Sequence, residues 1–129
     1  MDQRVMKVRE AQQRAYVPYS HFPVGAVVET AEGLLISGAN IENASYGLTM
    51  CAERVALFKA YSEGYRQFRS LTVVANTKRM ISPCGACRQV MSELCHPQME
   101  VILINASGEQ MKTTVEELLP YAFSEEDLP

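Results

Sequence analysis

Val5, Val8, Ala11, Gln12 and Ala15 recur at helical spacing near the start of the chain, with Lys7, Arg9 and Arg14 on the other sides. That pattern predicts a first helix over residues 2–15 that ends before Pro18. Two β-rich runs follow, Val24 to Glu29 and Leu34 to Ala39, separated by Thr30-Ala31-Glu32-Gly33, whose glycine suits a hairpin turn. From Cys51 to Glu63 the spacing of Ala52, Val55, Ala56, Leu57, Phe58 and Ala60 returns to a helix, closed by Gly64. Leu71 to Ala75 is nearly all apolar, the mark of a strand covered on both faces. Ser82-Pro83 then reads as an N-cap and first helical residue, opening a third helix from about Gly85 to Leu94. Val101 to Ile104 predicts a fourth strand, Asn105 to Gly108 a turn, and Gln110 to Lys112 a short fifth strand. Thr113 and Thr114, each followed three residues later by a glutamate, form overlapping capping boxes for a final short helix. Alternating strands and helices around a doubly covered sheet predict an α/β fold, a three-layer α/β/α sandwich with a central mixed five-stranded sheet.

Size and charge narrow the function. The 129 residues read as one domain, 1–129, with a single core. A net charge of −3, with no basic stripe, argues against a phosphate-backbone binder and favours a small-molecule substrate over nucleic acid. The opening residues lack an apolar signal core and no apolar run is long enough to span a bilayer, so the reading is a soluble, cytoplasmic protein without a membrane partner.

In a reducing compartment, the spacing of Cys84 and Cys87 points to metal or redox chemistry before disulfides. Cys51 adds a third thiolate, and three protein ligands leave a four-coordinate Zn²⁺ with an open position, the arrangement that binds and acidifies water. Glu53, two residues after Cys51, is placed to shuttle that water's proton and is the candidate catalytic residue. A redox site explains neither Cys51 nor Glu53, and a structural zinc site requires a fourth protein ligand. Cys51 near one helix start and Cys84 and Cys87 about another bring two positive helix ends to the thiolates, offsetting their charge. Arg54, one turn beyond Cys51, adds a candidate charge tuner that donates to the ligand sulfurs. Cys95 reads as a small buried hydrophobe, and His21 and His96 are left out of the metal site.

The run Cys51-Ala52-Glu53 followed by Pro83-Cys84-Gly85-Ala86-Cys87 matches the zinc nucleobase deaminase signature with cysteine as first ligand. These runs lie within two of five stretches, Tyr19 to Ala26, Gly38 to Tyr46, Thr49 to Arg54, Ser82 to Gln89 and Leu118 to Phe123, that appear in the same order in one family. The chain closely resembles the small, homotetrameric cytidine deaminases that act on free pyrimidine nucleosides. That resemblance implies one zinc per chain and hydrolysis of cytidine and 2′-deoxycytidine, with release of ammonia, in pyrimidine salvage. It also implies that Asn40 and Glu42 hold the ribose hydroxyls. Their spacing agrees, since positions two apart at a strand end point to one side and leave Ile41 for the core. Phe22 is similar to the family's base-pocket aromatic, and Phe123 to the one that stacks from a neighbouring subunit; core packing is the rival reading for both. Ala44 and Tyr46 lie where the family completes a neighbour's pocket, and the backbone near Ala52 where it contacts the base.

Two other readings stand beside this one. The same chemistry serves a deaminase of another aminated nucleoside or analogue, because pocket shape decides substrate. A non-catalytic, zinc-stabilised interaction module is the alternative from a different class.

Overall fold

The computed structural model describes residues 2–129. Its five strands, β1 (Val24–Thr30), β2 (Leu35–Ala39), β3 (Phe68–Ala75), β4 (Glu100–Ile104) and β5 (Gln110–Thr114), form one sheet in the order β2-β1-β3-β4-β5. The hairpin of β1 and β2 is antiparallel, with Gly25 opposite Ala39 and Glu29 opposite Leu35. Gly33 supplies the turn between them at φ +91°, a conformation open to glycine without the penalty of a Cβ. On its other side β1 pairs antiparallel with β3, which runs parallel to β4. A second hairpin joins β4 to β5, so antiparallel pairs flank the parallel one. This is the predicted mixed five-stranded sheet.

Side chains alternate across it as the pleat requires. Val27, Val74, Ile102 and Ile104 face α1 (Asp2–Gln12) and pack with Val8. Ala26, Val28, Leu71, Val73, Val101 and Leu103 face the opposite layer, built from α2 (Ala52–Ser62) and α3 (Gly85–Leu94). Ala52, Ala56, Leu57 and Ala60 of α2 and Met91 of α3 join that core, fully buried. The result is the three-layer α/β/α sandwich. A short α4 (Val115–Leu118) follows β5, with the Thr114 hydroxyl accepting the Glu117 N–H at 3.2 Å.

Several boundaries differ from the sequence reading. The first helix stops at Gln12, with Gln13 to Ala15 in turns. The cap of α3 is Cys84, leaving Ser82 and Pro83 outside the helix. Ile41 is 48% exposed instead of in the core. Beyond Asn40 the chain leaves β1, and Ile41 forms bridges with Tyr16 and Met50, so the strand alternation no longer refers to the sheet.

Candidate metal centre and active site

Both metal-ligand segments sit at helix starts. Cys51 is the N-cap residue of α2 and Cys84 that of α3, with Cys87 in the first turn of α3. The unpaired N–H groups of two first turns are therefore directed at one spot, where thiolate charge is favoured.

The three Sγ atoms lie within 4.8 Å of one another. Cys51 and Cys84 are 3.6 Å apart and Cys84 and Cys87 3.4 Å, far beyond an S–S bond of about 2.0 Å. A tetrahedral zinc with bonds of about 2.3 Å sets its sulfur ligands roughly 3.8 Å apart. Donor type and spacing thus fit a zinc ion. His21 and His96 stand outside this group; the His96 Nδ1 accepts the Gln98 N–H at 3.0 Å. Cys95 is buried, and burial pushes its thiol up to about 12.

Around the sulfurs the electrostatics are uneven. The Cys51 thiol falls to about 5, chiefly through its hydrogen bond with Cys87 and then through Arg54. The same bond with Cys51 pushes Cys87 the other way. Arg54 donates from Nη2 to Cys51 Sγ at 3.4 Å, which holds its own guanidinium even more firmly charged. Glu53 is 5% exposed. Burial, ahead of the nearby Cys51 charge, raises its carboxyl to about 7.

A cavity of about 230 Å³ opens beside the sulfurs, lined by Cys51, Ala52, Glu53 and Cys84 and by Phe22 and Asn40. Its floor includes Val73, Ala75 and Ile104, at or near the carboxyl ends of the parallel pair β3 and β4, the usual place for a ligand in an α/β sheet. The sequence reading missed these residues, although the parallel-strand ends marked them. It also missed Ile81, Ser82 and Pro83, which wall the cavity between β3 and α3.

Other predicted site residues stand elsewhere. Glu42 is not among the residues that line the cavity; its Oε1 accepts the N–H groups of Tyr19 at 3.0 Å and Ser20 at 3.2 Å. The Ser20 side chain does most to hold its carboxyl below the usual value. Ala44 and Tyr46 are exposed, Tyr46 at 88%. Phe123 is 57% exposed, its carbonyl accepting from Gln89 Nε2 at 3.1 Å. These three residues do not line the cavity of their own chain.

Comparison with known proteins agrees with this geometry. A relative named cytidine deaminase from Halalkalibacterium halodurans is 59% identical over 128 residues, 97% of each chain. Another of that name, from Sporosarcina psychrophila, is 51% identical over 128 residues, 99% of this chain and 94% of the relative. The crystal structure of cytidine deaminase from Burkholderia pseudomallei superposes with a TM-score of 0.91 at 48% identity, covering 95% of this chain and 98% of that one. The family described as the cytidine and deoxycytidylate deaminase zinc-binding region matches residues 1–103. The chain belongs to this zinc-dependent deaminase family.

Proposed function

We propose that this chain is a cytidine deaminase, hydrolysing cytidine and 2′-deoxycytidine to uridine and 2′-deoxyuridine with release of ammonia. One observation carries the reading: a buried carboxyl, Glu53, and two of the three clustered cysteines share the wall of one small cavity. Zinc held by Cys51, Cys84 and Cys87 supplies a Lewis acid that makes water a nucleophile near neutral pH.

The chain's own residues do the rest. Water adds to C4 of the pyrimidine, a C–O bond forms, and the C4–N bond breaks as ammonia leaves. Glu53 accepts the proton of the attacking water, passes it to ring N3, and then carries the proton of the new C4 hydroxyl to the departing amine, leaving a carbonyl at C4. Its burial favours a carboxyl that gives and takes protons near neutrality. Phe22 lies against the base, and Ala52, as the first residue of α2, offers a backbone N–H without an intrahelical acceptor. Asn40 and the free oxygen of Glu42 take the ribose hydroxyls.

The same proposal covers the assembly. Ala44, Tyr46 and Phe123, exposed and away from their own cavity, complete the cavity of a neighbouring subunit in a homotetramer. One catalytic domain spans residues 1–129, and the enzyme serves pyrimidine salvage in the cytoplasm. Among the described residues no helix is long and apolar enough to cross a membrane. A nucleoside-analogue deaminase or a zinc-stabilised module is not favoured, given relatives named for cytidine at 59% and 51% identity.

The test is loss of the cytidine ultraviolet band with zinc-loaded protein and with Glu53→Gln. Turnover should fall by roughly 10²–10⁴-fold in the variant with zinc content unchanged. Zinc-loaded wild-type protein that leaves cytidine intact would refute the reading.

A further inference from the structure

We propose that Asn40 is a positioning residue for Phe22, acting in place of a piece of β-ladder that the chain gives up to open its cavity. The inference rests on the deaminase reading of that cavity.

Gly25 opposes Ala39, so Val24 and Asn40 form the next pair outward, and the Asn40 N–H reaches the Val24 carbonyl at 3.3 Å. A regular antiparallel ladder would return the Val24 N–H to the main-chain carbonyl of Asn40. That carbonyl has turned away and accepts the Tyr16 N–H at 2.9 Å. The side chain takes its place. Asn40 Oδ1 accepts the Val24 N–H at 2.9 Å, and Nδ2 donates to the Phe22 carbonyl at 2.9 Å.

The two main-chain groups flank Pro23, so one carboxamide grips the chain on both sides of a residue that has no N–H of its own. The Pro23 carbonyl is held separately by Gln12 Nε2 at 3.1 Å. With Phe22 fixed in this way, residues beyond Asn40 diverge toward Tyr16 and Met50, and Phe22 and Asn40 face the same cavity. The grip needs a donor and an acceptor in one plane. A carboxylate offers acceptors alone, and turns one of them against the Phe22 carbonyl; a serine is too short to span both groups.

A residue that merely received a ribose hydroxyl would behave differently, because aspartate accepts a hydroxyl proton as well as asparagine does. Asn40→Asp therefore separates the two roles. With zinc-loaded protein, kcat/KM for cytidine should fall about 10–100-fold, in kcat as well as KM. The same loss should persist with 2′,3′-dideoxycytidine, which lacks the 2′- and 3′-hydroxyls that the side chain would hold. A loss that vanishes with the dideoxy substrate overturns the proposal.

Amide hydrogen exchange on ligand-free protein supplies an independent readout. The Val24 amide should exchange at least about tenfold faster in Asn40→Asp and in the uncharged Asn40→Ser, since its acceptor is lost or misplaced. Unchanged protection in either variant overturns the proposal. Asn40→Ser serves in both arms if the aspartate variant does not fold. Wild-type turnover of cytidine tests the deaminase reading alone, and the exchange arm stands or falls without it.

Discussion

Arg54 stands one helical turn beyond Cys51 and directs its Nη2 at the Cys51 sulfur, 3.4 Å away. Three thiolates would leave a zinc site with net negative charge, and a fixed guanidinium offsets part of it without occupying a ligand position. Replacing it by alanine removes both the charge and the hydrogen bond. Arg54→Ala is expected to lose zinc to a competing chelator about 10–100-fold more readily than the wild type, and Arg54→Lys to recover part of the difference. Metal analysis after graded chelation measures this; equal retention by all three proteins would remove Arg54 from the site.

Gly38 lies where the sheet comes close to α2, the helix that Cys51 caps and that carries Glu53. A Cβ there would sit 2.6 Å from the Ala56 nitrogen and 2.7 Å from the Ala52 oxygen. Both atoms are backbone, so the clash is relieved by moving α2 as a body. Gly38→Ala is expected to destabilise by about 1–3 kcal/mol or more and to cut kcat, because the shift displaces Glu53 from the cavity. Gly47, with nothing within 4 Å of its added Cβ and no positive φ, is the control. Thermal unfolding of Gly38→Ala and Gly47→Ala, with kcat measured on both, distinguishes a local contact from a general intolerance of alanine.

The ease of reading the site followed from how local its parts are. Cys51 with Glu53, and Cys84 with Cys87, are each within one helical turn, and helix starts are marked by sequence; spacing sufficed to bring them together. The range of α3 was legible, but its cap was misread, because Ser82-Pro83 has the chemistry of a cap while the backbone enters the helix at Cys84 and uses Pro83 as cavity wall. Ile41 was misplaced because strand alternation assumes a neighbouring strand, and β1 is no longer alongside at that position. The pair of hydrogen bonds joining Asn40 to Phe22 and Val24 lay beyond reach for the same reason: it depends on where two strands part company.

Glu42 offers a pH test away from the sulfurs. The Ser20 side chain, followed by the Ser20 and Tyr19 N–H groups, favours its charged form, so its pKa lies below the ordinary 4.5. A lowered carboxyl stays ionised as pH falls through the ordinary value and is protonated beneath it; the contacts that need the charge survive to that lower pH. Carboxyl-detected NMR of the wild type should place the Glu42 midpoint below 4.5, and Ser20→Ala should move it upward. A midpoint indifferent to Ser20 would show that the loop does not hold the carboxylate.

Shared active sites make a prediction that no single-subunit arrangement satisfies. Phe123 stands 57% exposed and outside the cavity of its own chain, while Glu53 is buried in that cavity. Under the tetramer proposal each site takes its acid from one subunit and its stacking aromatic from another. Glu53→Gln subunits then lack the acid but still lend Phe123, and Phe123→Ala subunits do the reverse. Assembled alone, the first should be inactive and the second weak, with a raised KM. In randomly mixed tetramers a site is intact when a Phe123→Ala chain supplies Glu53 and a Glu53→Gln chain supplies Phe123, which describes about a quarter of all sites. Co-refolding the two variants should therefore restore activity well above the sum of the separate preparations, and the regained fraction should show the wild-type KM. Activity that only averages the two parents would place Phe123 outside its neighbour's site, whatever the mass of the assembly.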